Sequence, residues 1–333
     1  MEKIVILGSG GFGLSLAAAC SRLGHEVTVW SAFKDEIDTI LRTGELRSKL
    51  PGIVMPKSVN FTTDISCVKG KDIVLIGIPS KFVRSVCESC KEYLDKDTIV
   101  VSTSKGLEDE SLKRMSEVVA EVFPNNKIVV LTGPSHAEEL GKGIPTAVTV
   151  SCEDMDAAEY IQKCFSDNVL RLYVNDDVIG CEIGGAIKNV IALCCGVSDG
   201  LGLGDNTKAA LMTRGLNELM RLGVAMGGKA DTFYGLAGVG DLIVTCTSVH
   251  SRNYRAGVLI GQGTLPDEAV RMIGTVEGYA CANAALELSK KYNVDMPITR
   301  EINNILFEGK KPSDVIDTLM RRPHGKEQIT SRG

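Results

Sequence analysis

A chain of 333 residues, 44% hydrophobic and 24% charged, has the make-up of an ordinary globular protein with material for two domains. Its formal net charge of −5 argues against a general polyanion-binding surface, so no nucleic-acid partner is expected and any anionic ligand must be held by a few local cations. No apolar run approaches the roughly 20 residues needed to cross a bilayer, which argues against membrane insertion. The eleven cysteines are scattered, and no cleavable signal precedes the first strand at Lys3, a pattern that fits reduced thiols in a cytoplasm. Cys87 and Cys90 have a CxxC spacing but no second pair to complete a zinc site, and no metal is expected.

Lys3-Ile-Val-Ile-Leu7 is a continuous apolar run suited to a parallel strand covered on both faces. Gly8-Ser9-Gly10-Gly11-Phe12-Gly13 follows, then a helical run from Leu14 to Leu23 that stops at Gly24, then a second strand, Glu26–Trp30. GxGxxG between strand and helix is the dinucleotide-binding context: Gly8 permits the tight turn, Gly10 admits the pyrophosphate and Gly13 lets helix pack on sheet. The helix N-terminus then offers unpaired N–H groups to the phosphates. NAD-specific sites place an acid near the end of the second strand. Here that strand runs into Ser31-Ala32-Phe33-Lys34, with no acid before Asp35. The missing acid and the nearby Lys34 tilt the cofactor reading from NAD towards NADP.

Strand-like runs recur at Asp72–Ile76, Thr98–Ser102, Lys127–Leu131, Thr146–Val150 and Val169–Tyr173. In a doubly wound sheet the loops beyond the strands' carboxyl ends carry the ligand site, so Ile78-Pro79-Ser80, Thr103–Gly106 with its cation Lys105, and Thr132–His136 belong to one crevice. After Asp176 the pattern is helical with glycine-rich breaks, and the tail after Arg321 reads as polar and loose. The fold expected is therefore α/β, a Rossmann-like, mostly parallel sheet domain over residues 1–176 followed by an all-helical domain over residues 177–333.

Glu182–Cys195 opens that second part as a helix with an apolar stripe and one cation, Lys188. Gly184 and Gly185, one turn earlier, weaken a helix by roughly 0.5–1 kcal/mol each and give clearance for a close backbone or ligand. A lysine that merely snorkels to water is the plain alternative. Ser198–Gly204 is a glycine-rich turn, and Asp205-Asn-Thr207 would cap the next helix. Asp241, after Gly235-Leu-Ala-Gly-Val-Gly240, stands where a helix dipole stabilises a carboxylate. Arg252 and Asn253 are residue types that hold a phosphate.

Together these segments resemble the NAD(P)-dependent glycerol-3-phosphate dehydrogenases, in particular the bacterial type, over nearly the whole chain. The resemblance rests on the glycine loop, Ser104-Lys105-Gly106, Gly133-Pro-Ser-His-Ala-Glu-Glu139, Gly185-Ala-Ile-Lys188-Asn-Val-Ile-Ala, and the long run from Asp199 to Ala210. It rests also on Gly235–Ile243 and Ser251-Arg-Asn253. It implies reduction of dihydroxyacetone phosphate to sn-glycerol 3-phosphate for phospholipid synthesis, at a site between the two domains. Lys188 matches the family's acid/base lysine, Lys105 a lysine touching cofactor and substrate, and Asp241 and Thr245 residues close to the reacting oxygens. Arg252 and Asn253 match the phosphate clamp, and Gly133, Ser135 and Ser251 line the substrate. Ala137, Arg252, Thr275 and Glu277 match positions beside the cofactor. Many members carry Arg after the second strand where this chain has Ser31, Ala32 and Phe33, which weakens the lean to NADP. A homodimer is compatible with these features. Two other readings stand beside this one: another two-domain β-hydroxyacid-type dehydrogenase, and a non-catalytic NADPH sensor that would have no use for Lys105, Lys188 and Asp241 together.

Overall fold

The computed structural model describes residues 1–323 and divides them into two compact units. The polar tail expected after Arg321 falls, from residue 324 on, outside the described residues. The first unit comprises Met1–Ser104 and Met115–Val178, the second Lys105–Arg114 together with the chain from Ile179. The chain thus visits the second unit twice, and ten residues that follow a strand of the first unit pack with the second.

The first unit is built on eight strands: β1 (Lys3–Leu7), β2 (Glu26–Trp30), β3 (Asn60–Thr62), β4 (Ile73–Ile76), β5 (Ile99–Ser102), β6 (Ile128–Thr132), β7 (Thr146–Ser151) and β8 (Leu170–Asn175). They form one sheet in the order β3-β2-β1-β4-β5-β6-β7-β8, parallel from β3 to β6, with β7 antiparallel to β6 and β8 parallel to β7. Helices α1 (Gly11–Arg22), α2 (Lys34–Thr43), α3 (Val83–Cys90), α4 (Met115–Val122), α5 (Ala137–Gly141) and α6 (Met155–Phe165) connect them. Strand alternation divides the core. Ile4, Ile6 and Leu75 join one cluster while Val5, Leu7, Val74 and Ile76 join another, so β1 and β4 are buried on both faces. Cys87 and Cys90 of α3 belong to the second cluster, and burial pushes the Cys90 thiol up to about 12. β3 has only three residues, Asn-Phe-Thr, too short and polar for an apolar-run criterion to detect.

Because β1 lies between β2 and β4, the direction of sheet growth reverses at β1/β4, which is where open α/β sheets bind ligands. Gly8 sits there at φ 126°, a conformation that disfavours any Cβ, and a Cβ would also meet Gly77 O at 2.5 Å. Gly13 is excluded from carrying a side chain by Gly8 O, 2.2 Å from where a Cβ would stand. Around Gly10 the nearest atom to such a Cβ is Gly77 O at 3.8 Å, so this glycine alone of the three has room in front of it.

In the second unit the helices are α7 (Val178–Gly200), α8 (Asp205–Ala225), α9 (Asp241–Thr247), α10 (Arg252–Gly261), α11 (Pro266–Ile273), α12 (Glu277–Lys291), α13 (Pro297–Phe307) and α14 (Pro312–Met320). Every residue of α7 from Gly180 to Ser198 is buried, so this helix is the axis of the unit. The expectation that no apolar stretch reaches bilayer length fails here: α7 is long and apolar enough, with a mean hydropathy of 1.6 over its best window. That window is 89% buried in protein, which accounts for the composition without lipid.

Glycines at a four-residue spacing bring α10 onto α7. A Cβ on Gly196 would meet Tyr254 O at 2.1 Å and one on Gly200 would meet Val258 O at 2.3 Å. In return, Cβ atoms on Gly257 and Gly261 would meet Leu193 O and Val197 O at 2.2 and 2.3 Å. The two backbones are in contact, and each helix supplies the space the other uses. Gly196→Ala should therefore lower stability by about 1–3 kcal/mol, since neither backbone can yield without moving its helix. Urea unfolding of the variant measures this, and an unchanged midpoint would show the contact to be soft.

Candidate active site

The second unit gathers four of the expected site residues into one cluster. Lys188 projects from the middle of α7 and is only 5% exposed, which disposes of the snorkelling alternative. Its ammonium donates to Asp241 Oδ1 and, at 2.8 Å, to Thr245 Oγ1. Lys105 Nζ donates to the other carboxylate oxygen, Asp241 Oδ2, at 2.8 Å. Thr245 Oγ1 in turn donates to the backbone oxygen of Asp241 at 2.5 Å, one turn back along α9. Two ammonium groups thus share one fully buried carboxylate.

Local sequence explains how each arrives. Gly184 provides the clearance anticipated from the glycine pair, but protein fills it: a Cβ there would meet Ala237 O at 2.3 Å. Residues Leu236–Gly240 form a single π-helical turn against α7, and α9 starts directly after it with Asp241 in its first turn. Asp241 makes no capping bond; its carboxylate goes to the lysines. Lys105 is held by the segment it begins. Leu107 lies in the core of the second unit, Leu107 bridges Arg114, and Arg114 donates to the buried Glu182 of α7 at 2.6 Å.

The electrostatics favour a labile proton on Lys188. Burial pushes its ammonium down, the Asp241 carboxylate opposes that, and Lys105 reinforces it, leaving a value of about 7. Asp241 feels burial in the opposite sense, yet Lys105 and Lys188 hold it below the usual carboxylate range. The carboxylate therefore stays ionised while one neighbour titrates near neutrality.

Beside the cluster, Ser251, Arg252 and Asn253 open α10. Ser251 caps the helix, accepting from Tyr254 N at 3.2 Å. Arg252 is exposed, and its guanidinium has no ion-pair partner among the described residues. Asn253, expected at the substrate's phosphate, also makes structural bonds that leave one amide hydrogen over. It is buried, donates to Asn189 Oδ1 at 2.9 Å, and accepts from Gly278 N at 2.8 Å. It braces α10 against α7, one residue after Lys188, and against the first turn of α12. Thr275 and Glu277 flank that start and are half-buried, while Gly278 has no room for a side chain because Asn189 O lies 2.4 Å from its Cβ position. Asn189 and Gly278 escaped the sequence reading. The glycine in the first turn of a helix was the available signal.

In the first unit, Ala137 borders the glycine loop. Gly11 faces Lys49 O and Ala137 Cβ, which would lie 2.7 and 3.3 Å from a Cβ at that position. Phe12 packs partly into the core. Gly133 takes φ 122° after β6, and Ser135 donates back to Gly133 O at 3.0 Å. Lys34, expected beside the cofactor, is exposed and paired with Asp38 at 2.6 Å. The room before Gly10 and the free first turn of α1 suit a dinucleotide's pyrophosphate.

Asn253→Ala would strand the Gly278 N–H and the Asn189 amide oxygen in the interior. A loss of about 1–3 kcal/mol in chemical denaturation is expected, and an unaltered unfolding curve would return Asn253 to a purely ligand-contacting role.

Two family models match the chain. The N-terminal model of NAD-dependent glycerol-3-phosphate dehydrogenase covers residues 3–158 and the C-terminal model covers residues 177–317. A glycerol-3-phosphate dehydrogenase [NAD(P)+] of Fusobacterium nucleatum is 47% identical over 326 residues, 97% of each chain. One from a Thermoanaerobacter species is 50% identical over 322 residues, 96% of this chain and 97% of that one. Among solved structures, the glycerol-3-phosphate dehydrogenase of Coxiella burnetii superposes with a TM-score of 0.93 at 35% identity, covering 96% of this chain and 99% of its own. With both halves matched and the sequence similarity continuous across them, the chain belongs to the NAD(P)-dependent glycerol-3-phosphate dehydrogenase family.

Proposed function

We propose that the chain reduces dihydroxyacetone phosphate to sn-glycerol 3-phosphate, reversibly, and that Lys188 is its acid/base group. The observation that carries the assignment is the pair of ammonium groups on one buried carboxylate, with a hydroxyl completing the set. Such a cluster suits a carbonyl that becomes an alcohol, and the exposed guanidinium of Arg252 suits a phosphate. A supply of sn-glycerol 3-phosphate for glycerophospholipid synthesis, in a cytoplasm, is the role this activity would serve.

Bound NAD(P)H supplies the hydride to the carbonyl carbon. As that bond forms, negative charge grows on the carbonyl oxygen. The Lys188 ammonium stabilises this charge and then gives up a proton to it, becoming a neutral amine that water reprotonates. Burial favours the step twice over: it strengthens the attraction for the developing alkoxide, and it brings the ammonium within range of giving up its proton at neutral pH. Asp241 aims the ammonium and keeps burial from driving off its proton altogether. Lys105, paired with the other oxygen of Asp241, adds a second ammonium to the cluster. Thr245 accepts another of the hydrogens on Nζ and so fixes the direction of the third. The phosphate takes no part in the bond changes. Arg252 and the first N–H groups of α10 would hold it, so that its binding energy positions the carbonyl.

Lys188→Met should lower kcat for ketone reduction by roughly 10²–10⁴ while cofactor affinity is retained. In the unaltered protein, reduction needs the protonated lysine, so kcat/KM should fall as pH rises through about 7, and glycerol 3-phosphate oxidation should show the mirror-image limb. Near-normal turnover by the variant, or a reduction profile flat from pH 6 to about 9, would remove Lys188 from the chemistry.

Arg252→Ala should raise KM for dihydroxyacetone phosphate by on the order of 10²-fold, the worth of a charge-assisted bidentate pair, and leave a non-phosphorylated ketone analogue unaffected. Equal weakening of both substrates would mean that Arg252 does not hold the phosphate.

A further inference from the structure

The missing acid after the second strand is supplied from the next helix. Glu36 lies in the first turn of α2, and its carboxylate turns back towards the glycine loop. Its Oε2 accepts from the hydroxyl of Ser9, inside the loop, and from Ser31 Oγ at 3.1 Å, directly after β2. The Ser9 and Ser31 hydroxyl oxygens lie 2.7 Å apart, and both serines are buried. The three side chains close a small polar triangle between the end of β2 and the phosphate loop. In sheets of this kind the acid that bonds the ribose hydroxyls of a dinucleotide stands there.

We propose that Glu36 is the residue that sets cofactor preference, binding the adenosine ribose hydroxyls and favouring NADH over NADPH. This rests on the dinucleotide reading of the glycine loop and deepens it. Oε2 is taken by two hydroxyls, but among the described residues Oε1 has only the ammonium of Lys49, at 3.7 Å, and the side chain is 18% exposed. An acceptor is therefore available to a hydroxyl that approaches from the cofactor side. A 2′-phosphate in the same place would bring further negative charge against a carboxylate that cannot turn away, because Ser9 and Ser31 hold it.

The neighbouring cations do not cancel this. Lys34 is committed to Asp38. Lys49 is 46% exposed and already faces Glu36, so it offsets the carboxylate's charge without presenting a net positive site. Phe33, in the position where an arginine would serve a phosphate, is apolar and 65% exposed. Among the described residues, Glu36 is the charged group bonded to both serines.

The test uses direct binding, because the chain's single tryptophan, Trp30, ends β2 beside Ser31 and its fluorescence will respond to either cofactor. Wild-type protein should bind NADH on the order of tenfold tighter than NADPH, the worth of one charge-assisted hydrogen bond to the ribose or of one like-charge repulsion against the 2′-phosphate. Glu36→Gln should weaken NADH and strengthen NADPH, moving the ratio of dissociation constants by at least about tenfold. Lys49→Met should leave NADH preferred. A wild-type preference for NADPH overturns the proposal, as does an E36Q variant that loses both cofactors equally, since Glu36 would then only staple the loop. The wild-type ratio decides alone if E36Q fails to fold, as its melting curve would reveal. Tight NADH binding without oxidation by dihydroxyacetone phosphate would sink the proposed reaction and leave the assignment of Glu36 standing.

Discussion

Two positive charges on one buried negative charge make up the interaction on which the second unit depends. Lys188, Lys105 and Asp241 come from three separate stretches of chain, and none is at home in the interior by itself. Burying an ion costs several kcal/mol after relaxation, and a pair recovers that only with good geometry and further hydrogen bonds. Here Asp241 uses both oxygens and Thr245 satisfies another ammonium hydrogen. Burial lowers the pKa of Lys188 against the pull of Asp241, and the charge of Lys105 adds to that lowering, so the property useful for proton transfer arises from where the ammonium is held.

Much of the remaining architecture holds these three charges in register. Gly184 admits the π turn that sets Asp241 under Lys188. Arg114, paired with Glu182 one turn and a half before Lys188 on the same helix, ties down the far end of the segment that begins at Lys105. Asn189, the next residue along α7, is bonded through Asn253 to the starts of α10 and α12. A single helix thus carries the titrating group and the anchors of its surroundings. That explains why nineteen consecutive residues of α7 are buried, and why a helix at the centre of a protein core can have the composition of a membrane span.

What could be read from sequence follows from what backbone constraints leave visible. Gly8 and Gly13 are glycine because oxygens occupy their Cβ positions, and a strand-loop-helix context makes such glycines interpretable. Lys188 stood out as one cation in an apolar helix. The roles of Asn253 and Glu36 were not legible, since both depend on partners brought in by tertiary structure. Asn253 reads from sequence as a ligand-binding side chain, and its bonds to Asn189 and Gly278 become visible only in the folded chain. Glu36 sits in the first turn of a helix, where acids are common for dipole reasons, and its bonds to Ser9 and Ser31 mark it out. The membership of Lys105–Arg114 in the second unit was equally hidden, because neither Leu107 nor Arg114 has a sequence pattern that reveals its partner.

The touching backbones of α7 and α10 act as a ruler. Interlocked glycines four apart allow neither helix to slide along the other, so the separation between the backbone positions that carry Lys188 and Arg252 is set by main-chain contact. Under the proposed assignment, that spacing measures the length of the substrate from its carbonyl to its phosphate. A ketone with one more methylene between those groups would have to buckle or be met by a shorter reach of the exposed Arg252 side chain, because the two helices cannot part without breaking their backbone contact.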